Sequence, residues 1–173
     1  MEGLELETRD WAALPGDVLY DIFRRSRHAD ILGGAGLACT SWRRVAAGEP
    51  NLWRLIDVDF EEHVDPGRYL ERLAMGRTAG RCESFRGPAD RYLLAYLAAW
   101  APSLRTLHVT STWCLPETFE DRVITKLPML EELMLCGGIL LVSTLRALLQ
   151  HCPRLRLLDC YGDQCYLNLV VPY

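Results

Sequence analysis

The chain has 173 residues, half of them hydrophobic, and a net charge of −4 at pH 7. That length allows one sizeable core, or a small module joined to a larger one, and the acidic balance removes any electrostatic reason to expect nucleic acid. A charged fraction of 24% argues against disorder.

No apolar run reaches the roughly 18 residues a membrane span needs, and the opening MEGLELETRDW lacks the basic n-region of a secretory signal. The expectation is a soluble protein of the nucleus and/or cytoplasm, without membrane or nucleic-acid partners. The seven cysteines, Cys39, Cys82, Cys114, Cys136, Cys152, Cys160 and Cys165, form no CxxC pair and no zinc-ligand spacing. In a reducing compartment they read as small buried hydrophobes. No metal or cofactor is expected.

Leu14-Pro15 opens the first helical pattern. Pro15 suits a first helical position, Asp17 adds negative charge to the first turn, and Arg24, Arg25 and Arg27 add positive charge at the end. Val18, Leu19, Ile22 and Phe23, with Leu14 one turn earlier, make one apolar stripe on a helix of about three turns. A second helical stretch, DILGGAGLACTSWRRVAA, is expected to be capped by Asp30 and weakened at its start by Gly33, Gly34 and Gly36. From Leu37 onward its apolar side carries Leu37, Ala38, Trp42 and Val45, and Gly48 and Pro50 end it. GGAG has no following Lys-Ser/Thr and fails as a phosphate loop.

After Asn51-Leu52-Trp53, the segment RLIDVDF alternates apolar Ile56, Val58 and Phe60 with Asp57 and Asp59, which predicts a half-buried strand. Some forty residues of short helices bury little by themselves. Each large apolar side chain left exposed on the first helix forfeits roughly 1.5–3 kcal/mol, so that helix needs a neighbour.

Leu14-Pro15, Val18-Leu19, Ile22-Phe23, then Cys39-Thr-Ser-Trp42-Arg43, and Pro50-Asn-Leu52-Trp53 resemble the F-box motif, in its order. The resemblance implies docking on the Skp-type adaptor of a cullin-RING ubiquitin ligase. The adaptor contacts it implies are Leu14, Pro15, Val18, Leu19, Ile22 and Phe23. Trp42 and Trp53 hold the module together or touch the adaptor in part.

The rest of the chain repeats. SLRTLHV (103–109), MLEELML (129–135) and RLRLLDC (154–160) share a frame of leucine, two residues, leucine, one residue, apolar residue. Weaker copies run from Trp53 through Ile56 to Val58 and from Cys82 through Phe85 to Gly87. The steps between copies are 29, 22, 26 and 25 residues, in or near the leucine-rich-repeat range. Helical patterns lie between them: from Asp65-Pro66 through Tyr69, Leu70 and Leu73 to Gly76; residues 90–100 with Leu93, Leu94, Leu97 and Trp100; 117–127 with Phe119, Val123 and Leu127; and 144–151 with Leu145, Leu148 and Leu149.

Strand, helix, strand, helix predicts an α/β chain: a small N-terminal helical F-box module followed by a short leucine-rich solenoid. The expected divisions are a tail (1–9), the F-box (10–54), a connecting strand and first helix (55–80) and the repeats (81–173). Together they resemble plant F-box/LRR proteins, a family of substrate receptors. With frame leucines pointing inward, the intervening residues line the outer strand face. Those are Thr106, His108 and Thr110, then Glu132, Met134 and Cys136, then Leu157, Asp159 and Tyr161. They form the candidate surface for an unknown protein target.

No hydrolase, zincin, phosphate-loop or dinucleotide pattern appears. His63 beside Glu61, Glu62 and Asp65 reads as a solvated loop, and His151 as a helix-end cation. No catalytic constellation is expected. The receptor reading is set against a truncated or diverged F-box/LRR interaction protein, which the lack of a polar capping unit at CYLNLVVPY favours.

Overall fold

A computed structural model describes residues 10–58, 77–110, 123–136, 139–161 and 166–168. Phe60, the His63 cluster, the helix expected from Asp65, Phe119, Cys114 and Cys165 lie outside the described residues.

A 3-10 turn at Trp11–Ala13 starts where the Asp10 carboxylate accepts the Ala12 amide at 3.0 Å. Helix α1 covers Gly16–Phe23, with Asp17 in its first turn. Pro15 stands just before it as the N-cap, at φ −56° and ψ 145°, not inside it. The second helix is divided. Helix α2 (His28–Asp30), a π-helical turn (Ile31–Ala35) and helix α3 (Gly36–Ala38) run together. Extended backbone at Cys39 separates them from α4, Thr40–Gly48.

Two expectations fail here. Asp30 does not cap the helix; it sits in α2 and takes two hydrogen bonds of 3.1 Å from the Arg27 guanidinium. Ile31, Leu32 and Gly36 are buried instead of Leu37 and Ala38. The wider π turn shifts the phase of the helix, so the buried face no longer follows a 3.6-residue pattern. Gly36 is there for close approach, not flexibility. A Cβ on it would lie 2.6 Å from the Ile31 carbonyl oxygen and 3.3 Å from the Ala46 Cβ.

Pro50–Trp53 forms a further 3-10 turn, and its buried Trp53 donates from Nε1 to the Ala46 carbonyl at 2.8 Å. Phe23 meets Trp42 edge-on, with centroids 5.8 Å apart. Trp42 donates to the Trp11 carbonyl at 2.9 Å, and Ser41 to that of Ala12 at 2.8 Å, tying the first turn to α4.

Next come β1 (Leu55–Asp57), β2 (Ser84–Gly87), β3 (Thr106–Val109), β4 (Glu132–Cys136), β5 (Ile139–Leu141), β6 (Leu157–Tyr161) and β7 (Tyr166–Asn168). Strands β1, β2, β3, β4 and β6 lie side by side in chain order as one parallel sheet, and β5 pairs with β7. Ile56, Phe85, Leu107, Leu133 and Leu158 share one rung. The register is thus the sequence frame itself: equivalent positions bury the same face, and a one-residue slip would expose them all.

Parallel neighbours require crossovers. Helix α5 (Arg91–Trp100) provides one, started by Asp90, whose carboxylate accepts the Tyr92 and Leu93 amides at 3.0 and 2.8 Å. Helix α6 (Val142–His151) provides another. Leu93, Leu94 and Leu97 are buried as expected, but Trp100 is 63% exposed. On α6 Leu148 is buried, Leu145 half-buried and Leu149 82% exposed. One residue turns a helix by about 100°, which takes Leu149 off the stripe that holds Leu148. Val123 and Leu127 are buried around a 3-10 turn, Ile124–Lys126.

One core runs through the chain, from Phe23, Ile31 and Leu32 through Trp53, Ile56 and Phe85 to Leu133, Leu148 and Cys152. Gly87 fills the frame position held by Val109 and Leu135 on the next strands. A Cβ there would come 2.9 Å from the Val58 carbonyl oxygen, so the glycine lets two strands approach. The cysteines are mixed. Cys82 and Cys152 are buried, whereas Cys39, Cys136 and Cys160 are half-buried.

Candidate protein-binding surfaces

The α1 stripe divides into two rows. Leu19 and Phe23, four residues apart, are 0% and 1% exposed. Val18 and Ile22, also four apart, are 42% and 40% exposed. Leu14 is half-buried and Pro15 exposed. Leu19 and Phe23 belong to the chain's own interior and offer no surface, so the row open to a partner is Pro15, Val18 and Ile22, with Leu14 at its end. This corrects the single-stripe reading. A stripe about 100° wide is broad enough for one edge to seal a core while the other stays wet. Trp53 is wholly buried and Trp42 half-buried, which makes Trp53 a core residue.

The second surface is the outer face of the sheet. Thr106, His108, Thr110, Glu132, Met134 and Cys136 are half-buried, and Leu157 and Asp159 are exposed. Tyr161 holds the register position beside Cys136. Along one rung stand Asp57, Arg86, His108, Met134 and Asp159. Arg86 donates to both carboxylate oxygens of Asp57, at 3.2 and 3.3 Å. Burial, then the Arg86 guanidinium, holds the His108 imidazole below its ordinary value, while Asp57 and Asp159 pull the other way. Two rungs nearer the strand starts, on the same face, Thr106 donates to Glu132 at 3.4 Å.

Two features escaped the sequence reading. The residue after each first frame position alternates in charge: Arg54, Glu83, Arg105, Glu131, Arg156. Arg54 pairs with Glu83 at 3.3 Å, and Glu131 bridges Arg105 and Arg156 at 2.9 and 3.2 Å. The signal was present in the frame, one residue beyond its first apolar position. The other is His28, which bonds to Leu52 and to Asp57 and joins the helical module to the first strand. Its partners are 24 and 29 residues away, and a lone histidine carries no sequence signal for that role. Among the described residues no group of three or more His, Cys, Asp or Glu could hold a metal ion.

The arrangement is a compact helical module with a half-exposed apolar row, abutting a parallel sheet of repeated frame. Residues 11–59 match the model of the F-box-like family. Over 97% of its length the chain is 31% identical to Putative F-box/LRR-repeat protein 22 of Arabidopsis thaliana, and the match spans 56% of that protein. It is 30% identical to Putative F-box/LRR-repeat protein 9 of the same plant, over 91% of this chain and 68% of that one. F-box protein SKIP19, again from Arabidopsis thaliana, is 32% identical over 88% of this chain and 52% of that protein. The chain belongs to the plant F-box/LRR-repeat family, and spans about half to two thirds of the length of these relatives.

Proposed function

We propose that the chain is a substrate-recognition subunit of an SCF-type (Skp–cullin–F-box) ubiquitin ligase. In this reading the α1 row docks the Skp-type adaptor, which links to the cullin, and the five parallel strands form a short leucine-rich solenoid holding a protein target. The observation that carries it is the division of α1. Val18 and Ile22 stay about 40% exposed inside the F-box-like match, beside a fully buried row. Covering what is still open on an adaptor recovers roughly 0.6–1.3 kcal/mol for each, about two fifths of the value for complete burial of an exposed side chain. The mixed outer face from Thr106 to Asp159, half-buried and partly apolar, supports the target role. Catalysis is left to other subunits, and the nucleus and/or cytoplasm is the proposed site of action.

The test is co-precipitation of the purified chain with a Skp-type adaptor. Retention by wild type and loss in a Leu14→Asp/Ile22→Asp double variant that keeps its circular dichroism is expected. Equal retention of the two, or no retention of wild type, refutes the proposal.

A further inference from the structure

A cleft of about 370 Å³ opens where the helical module meets the sheet. Its deep lining is apolar, with Phe23 and Leu52 only 1% and 6% exposed. Half-buried Tyr20 and the more open Leu55 extend that apolar surface towards solvent. Exposed Arg24, Arg54 and Asn51 stand around it.

Charge in the cleft is of one sign. Two guanidiniums line it and, among the described residues, no carboxylate does. The acids that pair with them are not part of the lining. Asp21 takes the Arg24 Nε at 2.8 Å, and Glu83 lies 3.3 Å from the Arg54 Nε. Both pairs use Nε, so the terminal amino groups of the two forks are left for a ligand. His28, also in the lining, adds no charge, because its Nδ1 accepts the Asp57 amide and its Nε2 donates to the Leu52 carbonyl. Free carbonyls at the end of α1 would repel an anion, but they are taken. That of Tyr20 accepts the Arg24 amide, that of Ile22 the Arg25 amide and the Ser26 hydroxyl, and that of Phe23 the Ser26 amide.

We infer that this cleft binds a small phosphate monoester, its phosphate held between Arg24 and Arg54 and its apolar body laid on Phe23 and Leu52. Two guanidinium forks match the double charge and open oxygens of a phosphate monoester, whereas a carboxylate offers enough for one. The volume lies at the low end of small-molecule sites, which leaves room for one ring beside the phosphate. The chain as a whole carries a charge of −4, so the attraction is local to this cleft and is no general affinity for anions. Neither Val18 nor Ile22 lines it, and the site does not depend on adaptor docking.

The test is calorimetric titration of the full chain with phenyl phosphate, inorganic phosphate and benzyl alcohol, which present the whole ligand, its head and its body. Phenyl phosphate is expected to bind saturably and at least about tenfold more tightly than inorganic phosphate, a factor that burying part of a ring supplies. Benzyl alcohol is expected to show no saturable binding. Arg24→Gln and Arg54→Gln, both at exposed positions, are each expected to weaken phenyl phosphate about tenfold, the scale of a hydrogen bond to a charged group. Arg25→Gln, next along the chain but outside the cleft, is expected to leave the affinity unchanged. Absence of saturable phenyl phosphate binding, or inorganic phosphate or benzyl alcohol binding as tightly, overturns the inference. So does an affinity that survives both Arg24→Gln and Arg54→Gln, or an equal loss in Arg25→Gln. A phosphotyrosyl peptide that binds at least about tenfold more tightly than phenyl phosphate also overturns it, because the ligand is then a partner's side chain and not a small molecule.

Discussion

The imidazole of His28 accepts the amide of Asp57 at Nδ1, 3.3 Å away, on the outer edge of the first strand. Its Nε2 lies 2.8 Å from the Leu52 carbonyl oxygen, which only accepts, so Nε2 carries the proton. One ring therefore joins the helical module to the sheet and covers the sheet's first edge. It also packs against Trp53, with centroids 5.5 Å apart.

Replacing His28 by Ala leaves an edge amide and a carbonyl without these partners. A cost of about 1–3 kcal/mol is expected, read as a lowered urea midpoint with an unchanged slope. An unchanged midpoint would show that the two modules do not depend on this ring.

The glycines of the π turn separate by sign. Gly36→Ala places a methyl 2.6 Å from the Ile31 carbonyl and is expected to destabilise by about 1–3 kcal/mol, the scale of core overpacking. Gly34→Ala meets nothing within 4 Å and is expected to stabilise by up to about 1 kcal/mol through helix propensity. Thermal unfolding of the two variants decides this, and shifts of the same sign would contradict the packing described.

The thiols differ in reactivity. Hydrogen bonding from Ser41 and the Trp42 amide holds Cys39 below its ordinary value, whereas burial pushes Cys82 up to about 12 and raises Cys152. Iodoacetamide labelling near pH 8, followed by mass spectrometry, is expected to modify Cys39 well before Cys82 or Cys152. The sign of the linkage follows. A thiol raised from 9.0 to about 12 favours folding fully below pH 9, and that contribution is lost as pH rises from 9 towards 12. Cys82→Ala should therefore flatten the alkaline fall in stability over that window. An equally steep fall in the variant would remove Cys82 as its cause.

Much of the sheet was legible because leucines at a fixed frame have one physical use. They must be buried on one face, and Leu104, Leu107, Leu130 and Leu133 are. Aligning the frames of successive repeats therefore aligns the strands. Helix faces were less legible. Leu149 and Trp100 lie close in sequence to buried leucines yet point to solvent, because apolar type alone does not mark the edge of a stripe. The π turn was hidden for the opposite reason, since its glycines read as weakness where they serve close packing. On α1, the stripe was visible from Leu14 to Phe23. Which of its two rows faces inward depends on α4 and Trp42, contacts that no local pattern carries.

The central claim is that the Val18–Ile22 row is a docking face and not a structural one. Calorimetric titration of the chain and a Val18→Asp variant with a Skp-type adaptor, alongside thermal unfolding of both, tests it most directly. At least about a tenfold loss of affinity is expected, since desolvating an unpaired carboxylate at the interface costs more than the roughly 1.4 kcal/mol that factor requires, with unfolding temperature unchanged. Undiminished affinity in a folded Val18→Asp variant, or a loss that appears only as the variant unfolds, would contradict it.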